Sequence, residues 1–117
     1  MTAEQKLVHD VSDKDFAQAV LAASKTRPVV VDFWAPWCGP CRMLGPILER
    51  VVGAMEGRVA LAKVNVDENP HLSAQWRVRS IPAVKVFVNG EVAGEFVGAA
   101  PEAEIRRAIE AALPKPG

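Results

Sequence analysis

Cysteine is scarce in this chain, with two among 117 residues, so whatever disulfide chemistry it performs must pass through that one pair. Charge of either sign is also missing in excess, because fourteen basic and fourteen acidic side chains cancel. That balance argues against a grip on nucleic acid or a membrane-surface patch as the main activity, and it suits protein partners of varied charge. No run approaches the roughly 20 apolar residues of a membrane span, and Met1 to Lys6 lack the apolar stretch of a secretory signal. A reducing cytoplasm is therefore expected. The two histidines, His9 and His71, stand alone without metal-ligand spacing, so no metal is expected. Only a four-cysteine site shared between two chains would complete the half-site that C-x2-C can form. Repeats, linkers and low-complexity segments are absent. A chain of 117 residues with 50% hydrophobic content reads as one domain, 1–117, with 115–117 as a flexible tail.

What is present is concentrated in one place. Trp37-Cys38-Gly39-Pro40-Cys41 directly follows the hydrophobic run Val29 to Trp34 and directly precedes a helical pattern. Spacing of i and i+3 brings both sulfurs to one side of a first helical turn, where a disulfide can close and reopen with little backbone movement. A bridge closing so small a loop removes little unfolded-chain entropy, so its role is chemical and not structural.

Around this motif the pattern alternates between strand and helix. A weak strand is expected near Lys6 to Val8. Ser12 and Asp15 form a capping signal for a first helix carrying Phe16, Ala19, Val20 and Ala23, which ends near Lys25 before Pro28. Val29 to Trp34 suits a strand buried on both faces. Leu44, Ile47, Leu48, Val51 and Met55 mark a long second helix ending near Gly57, which Pro46 is expected to kink. Val59 to Val66 reads as a strand, and Asn69-Pro70 as a cap and first turn of a short helix through Trp76. Asn89-Gly90 joins Val84–Val88 to Glu91–Val97 as a hairpin. Pro101 opens a last helix over Ile105, Ala108, Ile109, Ala112 and Leu113.

Trp34-Ala35-Pro36-Trp37-Cys38-Gly39-Pro40-Cys41, the Ile81-Pro82 pair, Asp32, Lys63 and Gly98 together resemble the thioredoxin family, and the element order matches over nearly the whole chain. The resemblance implies an α/β thioredoxin fold, a central mixed five-stranded sheet flanked by four helices. It implies a general protein-disulfide reductase that binds no cofactor. Its partners would be disulfide-containing client proteins and a thioredoxin reductase, either an NADPH-dependent flavoprotein or a ferredoxin-linked donor. No nucleic acid and no membrane enter the expected partner set, and the protein is expected to be a monomer. A disulfide oxidase or isomerase would need a more oxidising dithiol than Gly39-Pro40 suggests, and a redox-independent binding subunit would not need the cysteines at all.

Each site residue then has an expected role. Cys38 stands where unpaired backbone N–H groups and the helix dipole favour a negative sulfur, which makes it the exposed, outer nucleophile. Cys41, one turn in, is the resolving thiol. Gly39 admits another backbone, and Pro40 sits where its missing N–H is not needed. Asp32, an acid among Val, Phe and Trp, should have its pKa raised by burial. It is either a proton acceptor for Cys41 or a hydrogen-bonded structural carboxyl. Lys63 resembles a lysine that modulates this acid, against the alternative of an ammonium snorkelling to the strand edge. By resemblance the Ile81-Pro82 bond is cis and faces the dithiol, with Ile81 offering its backbone to an extended substrate. Trp37, Pro36, Val97, Gly98 and Ala99 would form an apolar rim. Ala83 and Trp76 depart from the commonest family pattern.

Overall fold

A computed structural model describes residues 7–115. The expected strand residue Lys6 and the tail residues Pro116 and Gly117 lie outside the described residues. The strands are β1 (Val8–Asp10), β2 (Val29–Trp34), β3 (Ala60–Asn65), β4 (Ala83–Val88) and β5 (Glu91–Val97). They form one five-stranded sheet in the order β1-β3-β2-β4-β5. β3 pairs in parallel with both β1 and β2, whereas β4 runs antiparallel to β2 and to β5. The helices are α1 (Ala17–Ala22 continued by Ala23–Lys25), α2 (Gly39–Ala54), α3 (Pro70–Gln75) and α4 (Glu102–Ala112).

β2 occupies the middle because it can be buried on both sides. Val30 projects into a core with Leu44, Leu48, Val84 and Ile109, while Val29, Val31 and Phe33 project into another with Phe16, Val20, Leu72 and Phe87. The first core lies under α2 and α4, the second under α1 and α3. Leu44 and Leu48 are fully buried; removing either side chain to alanine would cost about 2–5 kcal/mol. Asp32 falls between these residues on β2, in register with Lys63 of β3 and Val84 of β4, at 1% exposure.

Local chemistry accounts for most element ends. Asp15 accepts hydrogen bonds from the Ser12 N–H at 2.6 Å and the Ser12 hydroxyl at 2.9 Å, and these bonds hold its carboxyl below the usual carboxylate range. Asn89 and Gly90 both take positive φ, 53° and 83°, as a tight hairpin turn requires. The Pro101 carbonyl accepts from the Glu104 and Ile105 N–H groups, opening α4. At the end of α3 the Val78 N–H reaches the Ser73 carbonyl and the Arg77 N–H the Ala74 carbonyl, with Arg77 at φ 57°. That is the left-handed helix stop which glycine usually supplies.

Two expectations need correction. α1 is not a uniform α-helix; it is wound with π-type hydrogen bonds over Ala17–Ala22 and tightens to 3-10 over Ala23–Lys25. Its last turn is tied to the hairpin, because the Asn89 N–H donates to the Ser24 carbonyl and the Gly90 N–H to the Ser24 hydroxyl. Asn69 does not cap α3 with its side chain. It bridges loops instead, accepting from the Asp13 N–H and donating to the Asn65 carbonyl, both at 3.0 Å. Pro46 lies inside α2, which runs as one element from Gly39 to Ala54.

Candidate active site

The strand β2 ends at Trp34, and the chain turns so that Cys38 becomes the N-cap of α2 with extended backbone, φ −88° and ψ 109°. Its sulfur then accepts from the Cys41 N–H at 3.2 Å, taking the place that a serine or aspartate oxygen holds in ordinary caps. Cys38 and Cys41 are joined in a disulfide with Cα atoms 5.2 Å apart. Both are shielded, at 5% and 3% exposure, packed with Ala35, Trp34, Val66 and Ile81. The expected exposed outer sulfur is thus not seen in this oxidised form. What distinguishes the two cysteines is position: Cys38 precedes the helix and Cys41 lies within its first turn.

Facing this pair is the loop before β4. The Ile81-Pro82 bond is cis, and the Ile81 carbonyl oxygen comes within 3.9 Å of Cys38 Sγ. Because a disulfide sulfur carries no proton, this is a close approach and not a hydrogen bond. The Gly98 N–H donates to the Pro82 carbonyl at 2.8 Å, and Gly98 itself sits at φ 90°. So Gly98 braces the proline loop from the end of β5 in a conformation that side chains resist. Trp37 and Val97 are strongly exposed, at 68% and 64%. Met43, at 69%, belongs to the same class and was not anticipated. Trp37 is also held in place, its indole N–H donating to Asp67 at 2.9 Å. No local pattern could have found Asp67, which lies 30 residues away.

On the sheet face that α2 covers lies Asp32. Neither of its oxygens has a hydrogen-bond partner among the described residues. Burial pushes its pKa up to about 7; the nearby Lys63 charge opposes that rise and the Glu49 charge adds to it. Lys63 lies with its ammonium 5.1 Å from the Trp34 ring centre and 3.9 Å from the Glu49 carboxylate. Sequence reading missed Glu49, although Cys41, Gly45 and Glu49 at steps of four place it on the helix face that looks down on Lys63. No ion pair joins Asp32 to Lys63 directly.

A dithiol that caps a helix, a facing cis proline and a buried unpartnered acid form the pattern to which the sequence resemblance pointed, and comparison with known proteins decides the matter. The thioredoxin family model matches residues 7–111. The chain belongs to the thioredoxin family. Thioredoxin 1 of Nostoc sp. is 43% identical over 100 residues, 86% of this chain and 92% of that protein. The thioredoxin of Chlorobaculum thiosulfatiphilum is 44% identical over 101 residues, with the same shares. The chloroplastic M-type thioredoxin of Spinacia oleracea is 41% identical over 105 residues, 90% of this chain and 57% of that one.

As a member of this family, the protein is a thiol–disulfide oxidoreductase that reduces protein disulfides by exchange through its Cys38–Cys41 pair. Thioredoxins normally work with a thioredoxin reductase and with disulfide-bearing clients. Among the described residues no helix is long and apolar enough to cross a membrane, and no three His, Cys, Asp or Glu side chains cluster as metal ligands.

Proposed function

We propose that Cys38 is the nucleophile, Cys41 the resolving thiol, Asp32 the proton acceptor and Lys63 its modulator. In the reduced protein the Cys38 thiolate attacks one sulfur of a client disulfide, forming a mixed disulfide and expelling the other client sulfur as a thiolate. Cys41 then gives its proton toward Asp32 and attacks Cys38 Sγ. The mixed disulfide breaks, the second client thiolate leaves, and the Cys38–Cys41 disulfide closes. Two electrons have passed to the client. They are restored by a thioredoxin reductase, which we take to be an NADPH-dependent flavoprotein.

The observation that carries this reading is the sulfur cap. Cys38 Sγ already accepts the Cys41 N–H at 3.2 Å, and that donor, together with the helix dipole, stabilises a thiolate once the bridge is open. Trp37, Gly39, Pro40, Ile81, Pro82 and Gly98 serve as the substrate-binding surface. An extended client segment would lie along the Ile81 backbone against the exposed Trp37 and Val97 side chains. Residues 1–117 act as one domain, monomeric, and in a reducing compartment such as the cytoplasm, where the dithiol can be regenerated.

The roles of the two sulfurs are separable. Cys41→Ser should accumulate covalent complexes with clients because the mixed disulfide cannot be resolved, whereas Cys38→Ser should form none. Non-reducing electrophoresis of the purified variants mixed with reducible insulin reads this directly. Equal yields of adduct from the two variants would reverse or abolish the assignment.

A further inference from the structure

Asp32 and Lys63 stand side by side in register on parallel strands, an arrangement that would permit an ion pair. Here none forms. The Lys63 ammonium turns toward α2, where three groups receive it: the Trp34 ring, the Glu49 carboxylate at 3.9 Å, and the bare backbone of Gly45, at which a Cβ would lie 3.6 Å from Nζ. Exposure rises outward along the series, from Asp32 at 1% through the Lys63 side chain at 21% to that of Glu49 at 48%. Glu49 is therefore open to solvent, and near enough to compete for the ammonium whose charge acts on Asp32.

We propose that Glu49 is a positioning residue of the redox site, holding the Lys63 ammonium on the helix side so that it does not lock Asp32 into a permanent carboxylate and Asp32 stays able to take up a proton. The proposal rests on Asp32 being the proton acceptor for Cys41. Its physical basis is competition. An ammonium that leaned fully onto Asp32 would lower its proton affinity, and a carboxylate too acidic is a poor base near neutral pH. The charges acting on Asp32 are those of Lys63 from β3 and Glu49 from α2. Lys85 of the adjacent β4 pairs with Val31, one residue away from Asp32, and so projects from the opposite sheet face; Arg42 of α2 is exposed.

The oxidised protein offers a clean test, since neither cysteine titrates in it. Carbon-13 labelling of aspartate carboxyls lets NMR follow the midpoint of Asp32 in wild type and in Glu49→Asp, Glu49→Gln and Glu49→Lys. Half-exposed Glu49 tolerates all three, and thermal unfolding checks that the fold is kept. The midpoint should stay within about 0.2 pH unit for Glu49→Asp, fall by about 0.5 for Glu49→Gln and by about 1 for Glu49→Lys, the scale of one partly screened charge several ångström away. The pH profile of mixed-disulfide resolution should move with it. In a Lys63→Met background the Glu49→Gln displacement should shrink to less than half, because the effect passes through the lysine. Identical midpoints across the series would overturn the proposal, and so would an undiminished displacement without Lys63. Asp32→Asn in the same resolution assay separates the two ideas. If a limb near neutral pH survives that change, Asp32 is not the acceptor and the Glu49 role falls with it. If the limb disappears while the Glu49 series stays still, only the Glu49 role is wrong.

Discussion

Two buried ionisable residues lie on adjacent strands at the centre of the sheet and project from opposite faces. Lys85 of β4, 8% exposed, faces the α1 and α3 side and meets Glu95 of β5 at 3.2 Å. Asp32 of β2, 1% exposed, faces the α2 side and meets no hydrogen-bond partner among the described residues. Directly across from each other in the ladder are Val31 and Lys85, so the two ionisable groups are separated by little more than one residue step. Burying either charge unpaired is costly, and the protein has met that cost in two ways. Lys85 is given a carboxylate. Asp32 is left to take a proton, its pKa raised to about 7 by burial. A buried charge with its partner in place supports the sheet, whereas an acid kept without a partner can change its protonation state near neutral pH.

The largest expected effect breaks the comparison on the Asp32 side. Because its folded pKa of about 7 lies above the unfolded value near 3.8, the native state binds the extra proton between those two pH values. The stability this group contributes is present in full below about pH 4 and is lost as pH rises through about 7, an amount near 4 kcal/mol. Asp32→Asn should therefore unfold at higher urea than wild type at pH 8, and its stability should lose that slope between pH 4 and 7. Parallel stability curves for the two proteins would show that the carboxyl is not held neutral.

A smaller effect is expected on the Lys85 side. Glu95→Ala leaves an ammonium with only 10% of its side chain exposed and no counter-charge, which should cost about 1–2 kcal/mol. Lys85→Met leaves an open, hydrated Glu95 and should stay within about 1 kcal/mol of wild type. If urea denaturation ranked these two variants the other way round, the pair would not be the support described here.

The smallest change sharpens the contrast at a place that touches neither charge. Arg77 holds a left-handed conformation at the end of α3, which costs a side-chain residue about 1–2 kcal/mol at most. Arg77→Gly should raise the thermal midpoint by a few degrees, consistent with roughly 0.5–1 kcal/mol. Since it lies outside the charge pairs, it should leave the pH slope intact. A drop in stability would mean that the arginine side chain contributes more than its backbone position loses.

Much of the fold was legible because its elements are marked by local chemistry. Asn89-Gly90 favours a tight turn, Pro28 and Pro101 punctuate helices, and the run from Val29 to Trp34 suits a strand buried on both faces. The misreadings share a cause. Asn69 looks like a cap, but its side chain is taken by Asp13, 56 residues away, and the winding of α1 is tied to a hairpin that follows it by more than sixty residues. At the site, the dithiol and Asp32 stood out as chemically odd in their surroundings. Met43 and Glu49 lie on a helix whose pattern drew attention only to its apolar stripe, and Asp67 meets Trp37 solely through the folding of the chain.

The sequence by itself determined that there is one reversible dithiol at a helix start, and that an acid would be buried in the central strand, because spacing and polarity are properties of neighbours along the chain. Strand order is different in kind: hydrophobic alternation states that a strand is buried and not beside which other it lies. Tertiary structure alone decided that β2 sits between β3 and β4, that the Ile81 carbonyl faces Cys38, and that the Lys63 ammonium turns to Glu49 and not to Asp32. Those are contacts between distant segments, chosen by how whole surfaces pack.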